Sequence, residues 1–339
     1  TIAPITPPSI SPQYDTSLDF KDVIGHYTVK RVIECAVSGR HNLLLIGPPG
    51  SGKSMLAKRI PSILPPLSLD ESIECMNVHS HISFSDSFCS LNTAPPFRTP
   101  HHSISSVGMA GGGKHPRPGE FALSHNGVLF LDELPEFSRQ AIEMLRQPLE
   151  DRSITISRAS YTLTFPTNFM LVATMNPCPC GYHNDPNIKC QCSSFERSRY
   201  WKKLSGPILD RFDMIVHVPK LDKTEWLATD SSSETFSSSS ILERIKHSNS
   251  IQYNRQSSRY NSSLKESDIN HFCHLESEER KLLSILIQQH HWSGRAINRI
   301  LKCARTLADM ENSRMINVAH IAEASHYRMD ILSLMAPSS

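Results

Sequence analysis

The sequence is 339 residues long, which is enough for two or three domains of ordinary size. Apolar residues make up 39% of it and charged residues 20%, so a buried core is expected and disorder of the whole chain is excluded. With 35 basic and 33 acidic residues, the formal net charge of +2 does not by itself indicate nucleic-acid binding, and it leaves room for a local basic surface.

Targeting signals are not evident in the sequence. No apolar run approaches the roughly 20 residues that a membrane-spanning helix needs, so no membrane association is predicted. No basic stretch followed by an apolar one is present, so no secretory signal is predicted. The first residue is not Met, which indicates a fragment or a processed chain. Nine cysteines, some within predicted helices, argue against a secreted disulfide framework and favour the reducing cytoplasm.

The first two thirds of the chain alternate between predicted strands and helices. A helix is expected at 27–38, and a buried strand at 42–46 ends in a glycine-rich loop. Another helix is expected from about Lys53. The remaining elements are short apolar strands at 128–131, 169–174 and 214–218 and a helix at 138–150. This alternation indicates a parallel sheet covered on both faces, so 19–222 is predicted to be an α/β domain.

Two biased segments divide the chain. Residues 1–18 are rich in proline and are predicted to be a linker, and 223–240 contains a low-complexity serine tract that is typical of a flexible linker. Residues 241–332 are predicted to form a small all-helical domain. Its clearest helix starts at Ser293, because apolar residues then recur at helical spacing.

A phosphate-binding motif stands between the first strand and the next helix. Residues 47–54, Gly-Pro-Pro-Gly-Ser-Gly-Lys-Ser, match G-x-x-x-x-G-K-[ST], whose backbone N–H groups and helix N-terminus bind phosphate. Lys53 is expected to reach the β- and γ-phosphates and Ser54 to bind Mg²⁺. The predicted ligand is Mg-ATP, with contacts from Gly47, Pro48, Pro49, Gly50, Ser51, Gly52, Lys53, Ser54 and Met55.

Two acidic residues follow the strand at 128–131, at the sheet edge where α/β proteins bind ligands. Asp132 is predicted to hold Mg²⁺ through water, and Glu133 to orient and polarise the water that attacks the phosphate. Taken alone, the pair could equally cap the following helix. Its combination with the phosphate-binding motif favours catalysis.

Three further polar residues are candidates on weaker grounds. Asn176 ends the strand at 169–174, where its amide could contact the γ-phosphate or the attacking water, although Asn-Pro could also only start a turn. Arg211 precedes the last strand and is not singled out by composition. Arg295 begins a helix, where a cation opposes the helix dipole. An anion facing Arg295 would explain this placement, and a surface ion pair would explain it equally well.

A cysteine-rich loop is predicted at 177–193, where Cys178, Cys180, Cys190 and Cys192 form C-x-C…C-x-C. Four thiolates can complete a tetrahedral zinc site, with His183 as a spare ligand. The one-residue spacing within each pair is tighter than the usual two to four residues. Structural zinc and free thiols are therefore both compatible with the sequence.

The motifs together resemble those of AAA+ ATPases, and longer stretches are similar to the magnesium-chelatase-like branch of that family. The resemblance covers about 19–328 and depends on the blocks 22–25, 41–45, 97–102, 111–120, 125–137, 145–151 and 175–181. It implies an AAA+ P-loop fold, a three-layer sandwich with a parallel sheet and a small helical lid domain.

The resemblance also implies roles for individual residues. Asn176 would be sensor 1, Arg211 an arginine finger inserted into a neighbour's site, and Arg295 the sensor 2 arginine of the lid. A finger supplied by a neighbour implies a ring, expected to be a homohexamer. Relatives in this family are helicases that promote branch migration. They usually carry a Lon-protease-like domain before the ATPase, and residues 1–18 resemble the linker of that domain.

Two segments are candidates for contact with DNA. Residues 153–165 alternate like a hairpin, and in related rings such a hairpin projects into the channel, so Arg152 and Arg158 could contact phosphates. The segment 98–117 resembles a second channel loop. Its basic side chains are Arg98, His101, His102, Lys114 and Arg117. Solvated basic loops are the alternative, and phosphate contacts would make DNA binding non-specific and sensitive to salt.

The sequence, with this resemblance, therefore predicts a ring motor that hydrolyses Mg-ATP and acts on branched or single-stranded DNA, with branch migration in recombination or natural transformation as its expected activity. The alternative is the motor subunit of a metal-chelatase-like complex that remodels a protein partner. A nucleotide switch without catalysis is disfavoured, because all the residues that hydrolysis would need are present: Lys53, Asp132, Glu133 and Arg211.

Overall fold

The structure is a computed structural model that describes residues 18–81, 92–113, 117–158, 161–221, 235–256 and 260–328. The linker predicted at 1–18 lies outside these ranges except for Leu18. The linker predicted at 223–240 lies outside them up to residue 234.

The α/β part consists of short strands separated by helices. In chain order these are α1 (Tyr27–Gly39), β1 (Leu43–Ile46), α2 (Lys53–Ala57), α3 (Leu69–Ser80), β2 (Phe97–Arg98), α4 (Ser106–Ala110), β3 (Gly111–Gly112), β4 (Arg117–Pro118), α5 (Glu120–Leu123), β5 (Val128–Leu131), α6 (Arg139–Glu143), α7 (Arg146–Asp151), β6 (Ser153–Arg158), β7 (Tyr161–Pro166), β8 (Met170–Met175), α8 (Ser194–Trp201), α9 (Gly206–Leu209) and β9 (Met214–His217). Short 3-10 helices lie at Phe20–Asp22, Ile60–Ile63 and Leu134–Glu136.

Five strands form one parallel sheet in the order β2-β5-β8-β1-β9. In its centre Leu43 of β1 pairs with Val172 of β8 on one side and with Met214 of β9 on the other. The three strands that precede the predicted nucleotide residues, β5, β8 and β1, are therefore neighbours. Because they run in the same direction, their carboxyl ends meet at one edge of the sheet.

Two hydrophobic clusters cover the two faces of this sheet. Side chains alternate along a strand, so Leu43 and Leu45 pack in the cluster that contains α1, whereas Leu44 and Ile46 pack in the other with Trp201. All of these residues are almost completely buried. The result is a three-layer α/β fold with a parallel sheet, which confirms the predicted fold class.

The second part of the chain is helical and packs on α1. Its elements are α10 (Ser238–Arg255), a 3-10 helix (Asn261–Ser263), α11 (Glu266–Phe272), α12 (Ser277–His290), α13 (Gly294–Met310) and α14 (Val318–His326). Arg244 of α10 makes two hydrogen bonds of 2.6 and 3.0 Å to the buried Glu34 of α1. As predicted, α13 follows Ser293, whose hydroxyl accepts a hydrogen bond from the Ala296 N–H. Among the described residues, every helix is too short or too polar to cross a membrane.

Two predicted boundaries differ from the structure. The helix predicted at 138–150 is divided into α6 and α7, because Pro148 has no N–H to bond the carbonyl of Met144 and helical hydrogen bonding is interrupted there. The predicted serine-rich linker extends too far, since α10 begins at Ser238. The hydroxyl of Ser237 accepts a hydrogen bond from the Ser240 N–H, so the last serines start a helix instead of continuing a linker.

Candidate nucleotide-binding and hydrolysis site

The phosphate-binding loop connects β1 to α2. Gly50 and Gly52 have φ angles of +77° and +82°, which side chains rarely tolerate. A Cβ atom on Gly47 would lie 2.3 Å from the carbonyl oxygen of Val218. The glycines therefore allow a tight loop at the carboxyl end of β1, directly before the first turn of α2.

The ammonium group of Lys53 lies inside this loop. Its Nζ donates hydrogen bonds to the carbonyl oxygens of Gly47 (2.7 Å) and Pro48 (2.8 Å) and to Oδ1 of Asn176 (3.2 Å). Burial lowers the pKa of Lys53 from 10.5 to about 8, although Asp132 and Glu133 act in the opposite direction. The structure thus brings Lys53 and Asn176 together, and a phosphate placed in the loop would meet a cation there.

Ser54 and Asp132 are in direct contact. The Ser54 hydroxyl donates a 2.8 Å hydrogen bond to Oδ1 of Asp132, which joins the start of α2 to the end of β5. Hydroxyl and carboxylate oxygens are ligands that Mg²⁺ accepts, either directly or through its waters. These two side chains could therefore hold Mg²⁺ next to the phosphate-binding loop.

Thr174, which was not among the predicted site residues, supports the two acidic residues. Its hydroxyl donates to Oδ1 of Asp132 and accepts a 3.1 Å hydrogen bond from the Glu133 N–H. Thr174 is only 1% exposed. The available signal was a single hydroxyl in the otherwise apolar strand β8, placed where that strand approaches the carboxyl edge.

Glu133 lies at the same edge, beside Asp132, and its side chain is exposed. Its backbone has a φ of +55°, in the left-handed region that residues other than glycine seldom occupy. Such backbone conformations are concentrated at functional sites, because the surrounding structure has to hold them in place. Here the hydrogen bond to Thr174 holds the strained peptide.

Arg211 and Arg295 do not belong to this cluster. Arg211 is fixed at the opposite edge of the sheet, where its carbonyl oxygen accepts a 2.9 Å hydrogen bond from Asn42, the residue before β1. The phosphate-binding loop follows the other end of β1. The four residues of β1 span about 13 Å, and this length separates the Arg211 backbone from the loop. Arg295 lines the same cavity as Arg211. Within one chain, neither arginine is therefore next to Lys53.

The cavity around Arg211 is strongly basic. It has a volume of about 270 Å³ and is lined by six cationic and two acidic side chains, Arg40, Arg152, Arg211, Arg295, Arg299, Lys302, Glu150 and Asp213. Arg211 pairs with Glu150, and Arg299 lies 3.4 Å from Asp213. The remaining positive charge could receive an anion from outside the chain.

Two residues predicted to contact DNA have partners within the chain, and one of these predictions has to be corrected. Arg152 lines the basic cavity and donates to the side chain of Asn168, so it lies at the base of the β6–β7 hairpin instead of its tip. Arg98 forms two hydrogen bonds of 2.7 and 2.8 Å with Glu120, but its side chain is 39% exposed, so its contact with DNA stays a prediction. Local sequence could not show either partner.

The other predicted contacts stay predictions. The hairpin itself is present, with β6 and β7 antiparallel and residue 158 opposite residue 161. The side chain of Arg158 and residues 114 and 159–160 lie outside the described part of the chain. Arg117 is exposed in β4, and the rings of His101 and His102 lie 4.0 Å apart.

The four cysteines of the predicted metal loop do come together. The sulfur atoms of Cys178, Cys180, Cys190 and Cys192 all lie within 4.8 Å of one another, so this cluster could hold a metal ion. His183 is not part of the cluster. It lines a neighbouring cavity with Pro48 and His217, so its role as a spare ligand is not supported.

Comparison with known proteins identifies the family. Residues 19–226 match the model described as magnesium chelatase, subunit ChlI, and residues 235–328 match the model of its C-terminal part. The protein YifB of Escherichia coli (strain K12), described as uncharacterized, is 43% identical over 310 residues, which are 91% of this chain and 60% of that protein. The competence protein ComM of Haemophilus influenzae is 41% identical over 312 residues, 92% of this chain and 60% of that protein.

Similarity extends weakly to other proteins. The DNA replication licensing factor mcm5 of Dictyostelium discoideum is 25% identical over 223 residues, 60% of this chain and 25% of that protein. The chain spans about 60% of the length of the YifB and ComM relatives. The parallel sheet, the phosphate-binding loop and the two family matches agree, and the chain belongs to the magnesium-chelatase-like family of AAA+ ATPases, together with proteins named ComM and YifB.

Proposed function

We propose that the chain binds Mg-ATP in the loop 47–54 and hydrolyses it. The observation that carries this proposal is the hydrogen-bonded cluster that joins three adjacent strand ends. Ser54 bonds Asp132, Thr174 supports both Asp132 and Glu133, and Lys53 bonds Asn176. When bound, Mg²⁺ would neutralise charge on the β- and γ-phosphates.

The residues divide the chemical work between them. Lys53 binds the phosphate oxygens, and Asn176 orients the γ-phosphate or the attacking water. Glu133 directs this water in line at the γ-phosphorus and polarises its O–H bond. The exposed carboxylate of Glu133 supports this role, because the water has to approach from the open side of the site.

The stabilising arginines come from a second subunit. Arg211 and Arg295 lie at the amino edge of the sheet, about the length of β1 from their own phosphate-binding loop. In a ring of head-to-tail contacts, that edge would face the carboxyl edge of the next copy. Arg211 would then serve as the arginine finger and Arg295 as sensor 2 in the neighbour's site, and the proposed assembly is a homohexamer.

We infer that the ring acts on DNA, with branch migration during recombination as the proposed activity. Relatives are named competence protein ComM and, more distantly, DNA replication licensing factor mcm5. The β6–β7 hairpin supports this proposal, since within the described part of the chain its two strands form a sheet of their own, separate from the central sheet. Hydrolysis would move such hairpins along the DNA.

A second candidate is the motor subunit of a chelatase-like complex. The family model that matches 19–226 is described as a magnesium chelatase subunit, and this description favours a protein partner instead of DNA. The two candidates share the nucleotide site and differ in what the ring moves. Capture of a large chelatase subunit by the purified chain would support the second candidate.

The test is the ATPase rate of the chain with and without forked DNA, at low and high salt. We expect forked DNA to stimulate turnover and high salt to weaken the stimulation, because phosphate contacts release counterions. Linear duplex DNA is the comparison substrate, and Glu133→Gln controls for contaminating ATPases. An active ATPase that ignores DNA and unwinds no fork would contradict a DNA motor while leaving the nucleotide site intact.

A further inference from the structure

The cysteine loop between β8 and α8 is anchored at both ends. Trp201, which is 1% exposed, donates an indole hydrogen bond of 3.0 Å to the carbonyl oxygen of Pro177. Arg197 donates a 2.9 Å hydrogen bond to the carbonyl oxygen of Cys192. Between these anchors the structure assigns no helix or strand to 177–192, so backbone pairing does little to hold the loop. The two cysteine pairs meet directly, and the Cys180 N–H donates a 3.3 Å hydrogen bond to Sγ of Cys192.

The sulfur positions fit a tetrahedral metal site. The Sγ atom of Cys178 lies 3.4 Å from that of Cys180 and 3.7 Å from that of Cys190, and Cys180 and Cys190 are 3.6 Å apart. Four sulfurs at about 2.3 Å from a zinc ion lie about 3.8 Å from one another. Disulfide sulfurs are only about 2.05 Å apart, so these distances exclude a disulfide bond and fit shared ligation of one ion.

We propose that these four cysteines bind one Zn²⁺ ion. A set of four sulfur ligands selects zinc or iron over Mg²⁺ and Ca²⁺, which prefer oxygen. With all four positions taken by protein, the ion has no open position for substrate, so the site is structural. This part of the proposal does not depend on nucleotide chemistry.

The zinc loop lies directly against the phosphate-binding loop. Gly181, one residue after the first cysteine pair, has a φ of +85°, and a Cβ atom there would lie 2.4 Å from Cδ of Pro49. Beyond Gly181, the buried carboxylate of Asp185 forms a 3.1 Å ion pair with Lys220, which follows β9. The loop therefore bridges the phosphate-binding loop and the segment after β9.

The zinc ion thus acts as a support for the nucleotide site, a role that rests on the proposed binding of ATP in loop 47–54. With zinc bound, Gly181 holds Pro49 in place. Without zinc, the metal no longer closes the segment between Cys180 and Cys190 into a loop, and Pro49 loses the surface on which it packs.

Zinc content is the first test. The 339-residue chain, purified without an immobilised-metal column, is expected to contain about one zinc per chain by elemental analysis. Cys190→Ser should lose the ion, whereas Cys75→Ala, a buried cysteine outside the cluster, should keep it. A chain that stays free of zinc after growth with added zinc, or a Cys190→Ser variant with full zinc, overturns the proposal.

A second variant guards against simple misfolding. Cys192→His keeps four ligands and should still bind one metal ion. After cobalt substitution, the wild-type chain should show the intense visible bands of tetrahedral cobalt with sulfur ligands, and Cys192→His should shift them. Octahedral cobalt spectra, which are weak in the visible range, would exclude the four-sulfur site even if some metal is bound.

Nucleotide affinity tests the support role. We expect Cys190→Ser to weaken binding of a fluorescent ATP analogue by about tenfold, because outer-shell supports typically contribute 10–100-fold. Gly181→Ala, which keeps all four cysteines, should retain zinc but should also bind the ATP analogue more weakly. Wild-type affinity in both variants would refute the support role. If the wild-type chain binds zinc but no nucleotide, the proposed ATP site fails and the support role fails with it, whereas the zinc site stands.

Discussion

Replacing Thr174 with Val tests the support beneath the two acidic residues. Valine has nearly the same shape as threonine, so packing in β8 is preserved and only the hydroxyl is lost. The change removes a hydrogen bond to the Asp132 carboxylate and the acceptor for the Glu133 N–H. Because Thr174 is 1% exposed, water cannot simply replace the hydroxyl.

Both losses can be given a size. A buried N–H without a partner costs about 1–3 kcal/mol, and a hydrogen bond to a charged group contributes about 1.5–3 kcal/mol. Asp132 is half-buried and keeps its hydrogen bond to Ser54, so water can replace part of the hydrogen bonding that its carboxylate loses. We expect the free energy of unfolding to fall by about 2–3 kcal/mol and the Mg²⁺ requirement of the ATPase to rise about 10–100-fold.

Urea unfolding measures the first effect, and ATPase rates over a range of Mg²⁺ concentrations measure the second. Thr174→Ser keeps the hydroxyl and should behave much like the wild type. Thr155→Val is the matched control, since Thr155 bonds Thr164 on the exposed hairpin and should change stability by less than about 0.5 kcal/mol. A Thr174→Val variant with unchanged stability and Mg²⁺ dependence would refute the argument.

Three other changes probe the site. Glu133→Gln should bind ATP normally but lose turnover by about 10²–10⁴-fold in single-turnover assays, whereas the nearby exposed Glu136→Gln should keep it. Nucleotide binding favours protonated Lys53, so Kd for ATP should rise as pH passes about 8, and calorimetry should show proton uptake on binding. Ser54→Ala should show the same rise in Kd. A Kd that does not change with pH would contradict the role of Lys53. Arg211→Ala should lower ATPase activity by about 10³-fold, and mixing it with Lys53→Ala should restore part of it; no rescue would argue against a shared site.

Local sequence was sufficient for features that depend on neighbouring residues. The motif at 47–54 needs only glycines, a lysine and a serine in fixed order after an apolar run, and the structure forms that loop between β1 and α2. The helix after Ser293 was predicted from the helical spacing of its apolar residues, and the serine N-cap seen in the structure is also a local signal. For the same reason, the interruption between α6 and α7, ahead of Pro148, was predictable from the sequence.

Other features were decided only by the tertiary structure, because they depend on which strands pair although they are far apart in the sequence. Placing β8 between β1 and β5 brings Thr174 under Asp132 and Glu133, and no pattern within β8 specifies those neighbours. The ion pair of Arg98 with Glu120 and the position of Arg211 at the far edge likewise follow from packing. The sequence alone determined the phosphate-binding motif and the fold class, because both are encoded in short runs. Chain folding in three dimensions decided which charges surround that motif and which lie at the far edge of the sheet, because side chains far apart in sequence meet only once the sheet has formed.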